Sequence, residues 1–159
     1  MRPITRSLAA LLICGSLAAP AFAMEAVQKV EREYTETLAD GSTVLKRASA
    51  DLVKPGENIV YSIAYTNTQA EAASGLVLDM PVPEEVRFAE GSADRAGAVV
   101  SYSTDGGQSF TDRLSLSVVA ADGTRRPATT DDITDVRWTL SQAVVPGESG
   151  TVEFKGRLR

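Results

Sequence analysis

The chain has 159 residues, with 21 acids, 16 bases and no histidine. Its single cysteine is Cys14, and Arg2 and Arg6 are the only charged side chains before Glu25. An acidic chain without clustered Lys and Arg lacks the charge that phosphate backbones and anionic membrane surfaces attract, so neither is an expected partner.

The first 23 residues read as a secretory signal peptide. Arg2 and Arg6 form a basic n-region, Leu8 to Ala19 an apolar run, and Ala21-Phe22-Ala23 a small-residue cleavage site. The run stops at Pro20, short of the roughly 20 apolar residues that span a bilayer. Ile13 precedes Cys14 where lipidation of that cysteine requires a small residue. The mature chain is expected to begin at Met24, to be exported to the periplasm or the medium, and to contain no transmembrane segment. Its 136 residues are the size of one domain. Its formal charge is −7, because the signal takes two of the bases, and it has no cysteine for a disulfide.

From there the apolar period is two. Glu31 to Thr37 is polar on both faces, and Asp40-Gly41 joins it to Val44-Leu45-Lys46-Arg47 as a hairpin. Such a strand has weakly specified register. It is expected as an exposed edge, open to another chain. The hairpin is read as an N-terminal extension, residues 24–51, of a domain over residues 52–159.

Pro55-Gly56 suits the centre of a type II turn. In the strand Asn58 to Asn67 that follows, Ile59, Tyr61, Ile63 and Tyr65 alternate with Val60, Ser62, Ala64 and Thr66, which predicts one buried and one wetted face. Gln69 to Ser74 is alanine-rich and long enough for one helical turn. Short strands are expected at Leu76-Leu78, Val86-Phe88, Ala98-Tyr102 and Leu114-Val118, with turns at Asp105-Gly106-Gly107 and Asp122-Gly123. Val136, Trp138 and Leu140 mark another strand. Pro146-Gly147 repeats the type II signal before the last one, where Val152, Phe154 and Leu158 oppose Glu153, Lys155, Arg157 and Arg159. Many short strands punctuated by turns predict an all-β, immunoglobulin-like sandwich carrying the added hairpin. The expected core is Ile59, Tyr61, Ile63, Tyr65, Trp138, Val152 and Phe154.

Without histidine or cysteine, the mature chain cannot build Ser-His-Asp or Cys-His nucleophiles, His/Cys zinc sites, or the usual haem and iron–sulfur ligation. No phosphate-cradling glycine loop leads into a helix. Glu84-Glu85 and Asp131-Asp132 read as loop charges, because a glycosidase pair must flank a scissile bond and adjacency does not achieve that. The chain is expected to be no enzyme and to need no cofactor. Ca²⁺ is the one metal its acids suit. Asp105, Asp131, Asp132 and Asp135 are the main candidates, with Asp112 and Asp122 also in predicted loops, although no stretch has the twelve-residue calcium-loop spacing. Trp138, Tyr61 and Tyr65 sit on the apolar phase of their strands and read as core, not as a sugar platform.

Two resemblances follow from these residues. Ser103-Thr104-Asp105-Gly106-Gly107-Gln108-Ser109-Phe110 resembles the Asp-box hairpin of sialidase propellers, which implies a structural turn built on Asp105. One copy does not make a propeller. Val53-x-Pro55-Gly56-Glu57-x-Ile59-x-Tyr61-x-Ile63-x-Tyr65-x-Asn67 resembles the opening of the bacterial domain of unknown function eleven, the conserved repeat domain. Ala73 to Pro83, Val86 to Ser92 and Val145 to Phe154 resemble its later segments in order. This resemblance implies an immunoglobulin-like sandwich on an exported or cell-surface protein, with no catalytic residues to carry over. Members usually occur in tandem within large surface proteins. This chain carries one copy and no wall-anchoring signal, which points to a soluble periplasmic or secreted protein. The leading expectation is a non-enzymatic interaction or structural module of the cell envelope that binds another protein. The alternative is a carbohydrate-binding module for envelope polysaccharide.

Overall fold

The structure is a computed structural model and describes residues 24–159; the expected signal peptide, with Cys14, lies outside the described residues. Among the described residues there is no helix. The ten strands are β1 (Met24–Thr37), β2 (Thr43–Ser49), β3 (Asn58–Asn67), β4 (Val77–Pro81), β5 (Val86–Phe88), β6 (Ala98–Ser103), β7 (Ser117–Val119), β8 (Arg125–Pro127), β9 (Asp135–Leu140) and β10 (Ser149–Leu158). They form antiparallel sheets ordered β2-β1-β3-β10-β5 and β4-β9-β6, with β7-β8 as a small hairpin.

The alternation read from the sequence builds the core. Ile59, Ile63 and Tyr65 of β3, Val152 and Phe154 of β10, and Val86 and Phe88 of β5 join one cluster with Leu78, Met80, Val136, Trp138, Leu140 and Tyr102 of the smaller sheet. Among the predicted core residues, Tyr61 alone is only half-buried; it stacks on Phe154 directly opposite it, with ring centroids 5.0 Å apart. The predicted Pro-Gly turns close as expected. Glu57 N–H bonds Lys54 C=O at 3.0 Å, Glu148 N–H bonds Val145 C=O at 3.0 Å, and Gly56 and Gly147 both take positive φ. The glutamate carboxylate of each turn accepts from the residue that opens it, Lys54 N–H at 2.8 Å and Val145 N–H at 2.9 Å.

Several expectations are corrected. The hairpin is no appendage: β1 pairs with β3 from Met24 to Glu33, so it is an interior strand of the main sheet over part of its length. Glu31–Glu33 is paired on both sides, with β2 and β3, and the edge on this side of the sheet is formed by β2 and the first half of β1, with β5 at the opposite edge. Nor is the second face of β3 simply wetted. Val60 is fully buried and Ser62 is buried, beneath a charged lattice on the outer face. Glu33, itself buried, takes the Lys155 ammonium at 2.9 Å, and Arg47 bonds both oxygens of Glu153 at 2.8 Å. Val60 lies between Glu31 and Lys155 and Ser62 between Lys29 and Glu153 in the sheet, and the aliphatic stems of such side chains cover apolar surface while their heads stay paired. Gln69 to Ser74 forms no helical turn, because Ala73 instead makes an isolated bridge with Val144. Leu114 is 95 % exposed in a turn whose Leu114 and Ser115 amides bond Asp112, so the strand predicted from Leu114 starts only at Ser117.

Candidate functional site

The predicted calcium candidates do not converge. Asp131 lies 2.7 Å from Arg87 and 3.0 Å from Arg159. Asp132 is held by both terminal nitrogens of Arg126, at 2.7 and 2.8 Å, and by the Thr129 amide. The Arg126 hydrogen bonds, opposed in part by burial, hold its carboxyl well below the usual carboxylate range. Among the described residues, no group of three acids is placed to hold a metal ion.

Asp105 organises its own turn. Its Oδ1 accepts from Ser103 Oγ at 2.7 Å and from the amides of Gln108 and Ser109 at 3.0 and 2.9 Å, while Oδ2 accepts from Ser109 Oγ at 2.5 Å. Those bonds, led by the Ser109 hydroxyl, bring its carboxyl down to about 2. Tyr102 and Thr111 close the hairpin with two backbone bonds. Phe110 is half-buried with the Arg137 guanidinium 3.7 Å above its ring. Every lone pair so used is unavailable to a ligand, so the segment is a structural turn.

Asp135 is different. Its Oδ2 is buried and has no hydrogen-bond partner among the described residues. Burial raises its carboxyl, Thr134 opposes the shift, and the charges of Asp79 and Asp105 add to it. A carboxyl raised in the fold stabilises the protein below its unfolded value, and that contribution is lost as pH rises through the folded value. Asp135→Asn is therefore expected to melt above the parent at pH 7, with the gap closing near pH 3. Thermal melts across that range check it, and a lower midpoint at pH 7 contradicts it.

The aromatic side chains offer no row of open rings among the described residues. Trp138, Tyr65 and Tyr102 are buried, and half-buried Tyr34 lies under the Arg32 guanidinium at 4.9 Å. An open cleft of about 720 Å³ runs beside β6, with Ala98, Val100 and Tyr102 along it and Glu90, Arg95 and Arg113 around it. Arg113 is committed to Glu90. Arg95 stands 5.4 Å above the Tyr65 ring, and its buried Nη1 has no acceptor among the described residues.

The feature of greatest extent is the open edge of β1. β2 is paired with β1 only from Thr37 back to Glu31, where Ser49 ends it. Met24–Val30 is bonded to β3 on one side and, among the described residues, has no strand on the other. Residues along an antiparallel strand point N–H and C=O alternately to the two sides. Leu38 N–H bonds Ser42 C=O across the β1–β2 hairpin, so even-numbered residues of β1 face the β2 side. Asn67 bonds Glu148 and Gly147, away from β1, which gives the same alternation from the β3 side. Met24, Ala26, Gln28 and Val30 thus present their backbone groups to the vacant lane. Met24 and Val30, at its two ends, are half-buried against the core, and between them Glu25–Lys29 is exposed on both faces. Val27 is 58 % exposed, and Ala26 and Gln28 are exposed although they share a face with core residues Tyr65 and Ile63.

The sequence reading placed the edge at Glu31–Thr37 and missed this stretch. Its large apolar residues, Met24, Val27 and Val30, fall three apart, so no period of two reveals the strand. No family model, no curated protein and no solved structure matches this chain.

Proposed function

We propose that this chain is an exported, non-enzymatic interaction module of the cell envelope, an immunoglobulin-like domain that takes an extended segment of a protein partner onto the open edge of β1. The observation that carries the reading is the seven-residue lane beside Met24–Val30, in line with β2 and, among the described residues, unpaired along its length. Strand addition at such an edge gains affinity from main-chain hydrogen bonds. Natural edges are normally short, bulged or covered; this one is continuous in register and bare. Export is supported by the signal-like leader and the acidic, cysteine-free mature chain.

Deleting the hairpin is a poor test, because it also strips β1 from β3. A photo-crosslinking residue at Val27 leaves the sheet intact. In cells it is expected to trap a protein adduct, while the same residue at Thr139, on the smaller sheet, traps none. Equal trapping at both positions, or none at Val27, contradicts the reading. Polysaccharide binding, the alternative, has no exposed ring platform among the described residues to favour it.

A further inference from the structure

Resting on that reading of the β1 edge, we propose that the added strand comes from a second copy of this chain, whose Met24–Val30 pairs antiparallel with the same segment about a two-fold axis through Val27. A two-fold axis brings one patch against itself, so the segment must complement its own reversal, and it does. Val27 opposes Val27, Ala26 opposes Gln28, Glu25 opposes Lys29, and Met24 opposes Val30. Apolar meets apolar, small meets polar, and each acid meets a base on the same face. Cross-strand pairs of these kinds are favourable, and like charges directly opposite are not.

The backbone agrees with this register. The four residues that face the lane, Met24, Ala26, Gln28 and Val30, then oppose only one another. Ala26 and Gln28 exchange both N–H and C=O bonds across the axis, as hydrogen-bonded pairs do. An axis between residues would set lane-facing groups against groups turned to β3. An axis at Gln28 would bring Glu25 against Glu31, and one at Ala26 would bring Glu25 against Val27; both lose the charge pairs. The Val27 axis also uses the whole vacant length. It continues the β2-β1-β3-β10-β5 sheet from one copy into the next. Residues preceding Met24 would run into the partner's β2, so pairing requires a chain that starts at Met24, the expected mature start.

The tests use the chain from Met24 to Arg159, which holds every described strand. Val27 becomes a non-hydrogen-bonded pair, with Cα atoms about 4.5 Å apart, within disulfide reach. The mature chain has no other cysteine. Val27→Cys is expected to form a disulfide dimer on mild oxidation. Leu45→Cys, 61 % exposed on β2 and outside the lane, is expected to remain monomeric. Lys29→Glu sets like charges opposite at two rungs and is expected to weaken dimerisation about tenfold in sedimentation equilibrium. The double variant Glu25→Lys/Lys29→Glu, which restores both pairs with signs exchanged, is expected to recover it. A parent protein that stays monomeric at high concentration, with Val27→Cys unable to cross-link, overturns self-pairing. If photo-crosslinks at Val27 then lead to a different protein, the edge reading survives and only the identity of the partner falls. If nothing is trapped, both fall.

Discussion

Trp138→Ala is expected to cost about 4 kcal/mol of stability and lower the melting temperature by roughly 15 °C. Trp138 is fully buried at the centre of β9, the middle strand of the smaller sheet, so truncation leaves a large cavity between the two layers. The indole also acts beyond its volume. Its Nε1 donates to the Ala93 carbonyl at 2.8 Å, and Ala93 is fully buried, which pins the segment between β5 and β6 into the core. Trp138→Phe should separate the two roles. It keeps most of the ring and strands one buried carbonyl, for about 1–2 kcal/mol, and amide exchange near Ala93 should accelerate beyond the global change. Denaturant melts of the two variants beside Val99→Ala, an exposed site, measure the series. Equal stability of Trp138→Ala and the parent would overturn the two-layer core.

Gly156→Ala is the second large effect, expected at about 2 kcal/mol. β10 carries Gly156 buried opposite Phe88 of β5 and Ile59 of β3. A Cβ there would overlap Val86 Cγ1 and stand 3.0 Å from the Arg87 carbonyl oxygen. Val86 can change rotamer only into a packed core, and the Arg87 carbonyl belongs to backbone already in the sheet. The relief available is for β5 to lift away from β10. The variant should therefore melt roughly 8 °C lower, with early loss of protection in Val86–Phe88. Gly41→Ala serves as a contrast. Its added Cβ meets nothing, and its cost comes only from the positive φ of the β1–β2 turn. A Gly156→Ala protein as stable as the parent would mean that β5 is not seated as described.

The elements legible in the sequence are those with one dry face. Asn58–Asn67 was read to the residue, and Trp138, Val152 and Phe154 were placed in the core, because period two is imposed wherever a strand divides core from water. The Pro-Gly turns were legible because their backbone geometry demands those residues. What failed has physical reasons. Val60 and Ser62 carry no sign of burial in the sequence because their sheet neighbours, Glu31 and Lys155, Lys29 and Glu153, are remote in sequence and charged. Leu114 imitates a strand position while Asp112 captures its backbone in a turn. Met24–Val30 shows no period of two, since only its ends, Met24 and Val30, touch the core and its middle is exposed on both faces. The paired charges Glu25 and Lys29 around Val27 become meaningful only once the register shows that the lane beside them is empty.

Backbone amide exchange along β1 tests the central claim, that this edge is a binding surface, most directly. In dilute protein, Glu25, Val27 and Lys29 are expected to exchange slowly, since their amides face β3, while Ala26, Gln28 and Val30 exchange fast. On raising the concentration, or on adding the partner trapped at Val27, the even-numbered amides should slow to match the odd ones. Ala26 and Gln28 staying fast in the assembled state, with protection appearing elsewhere, would contradict it.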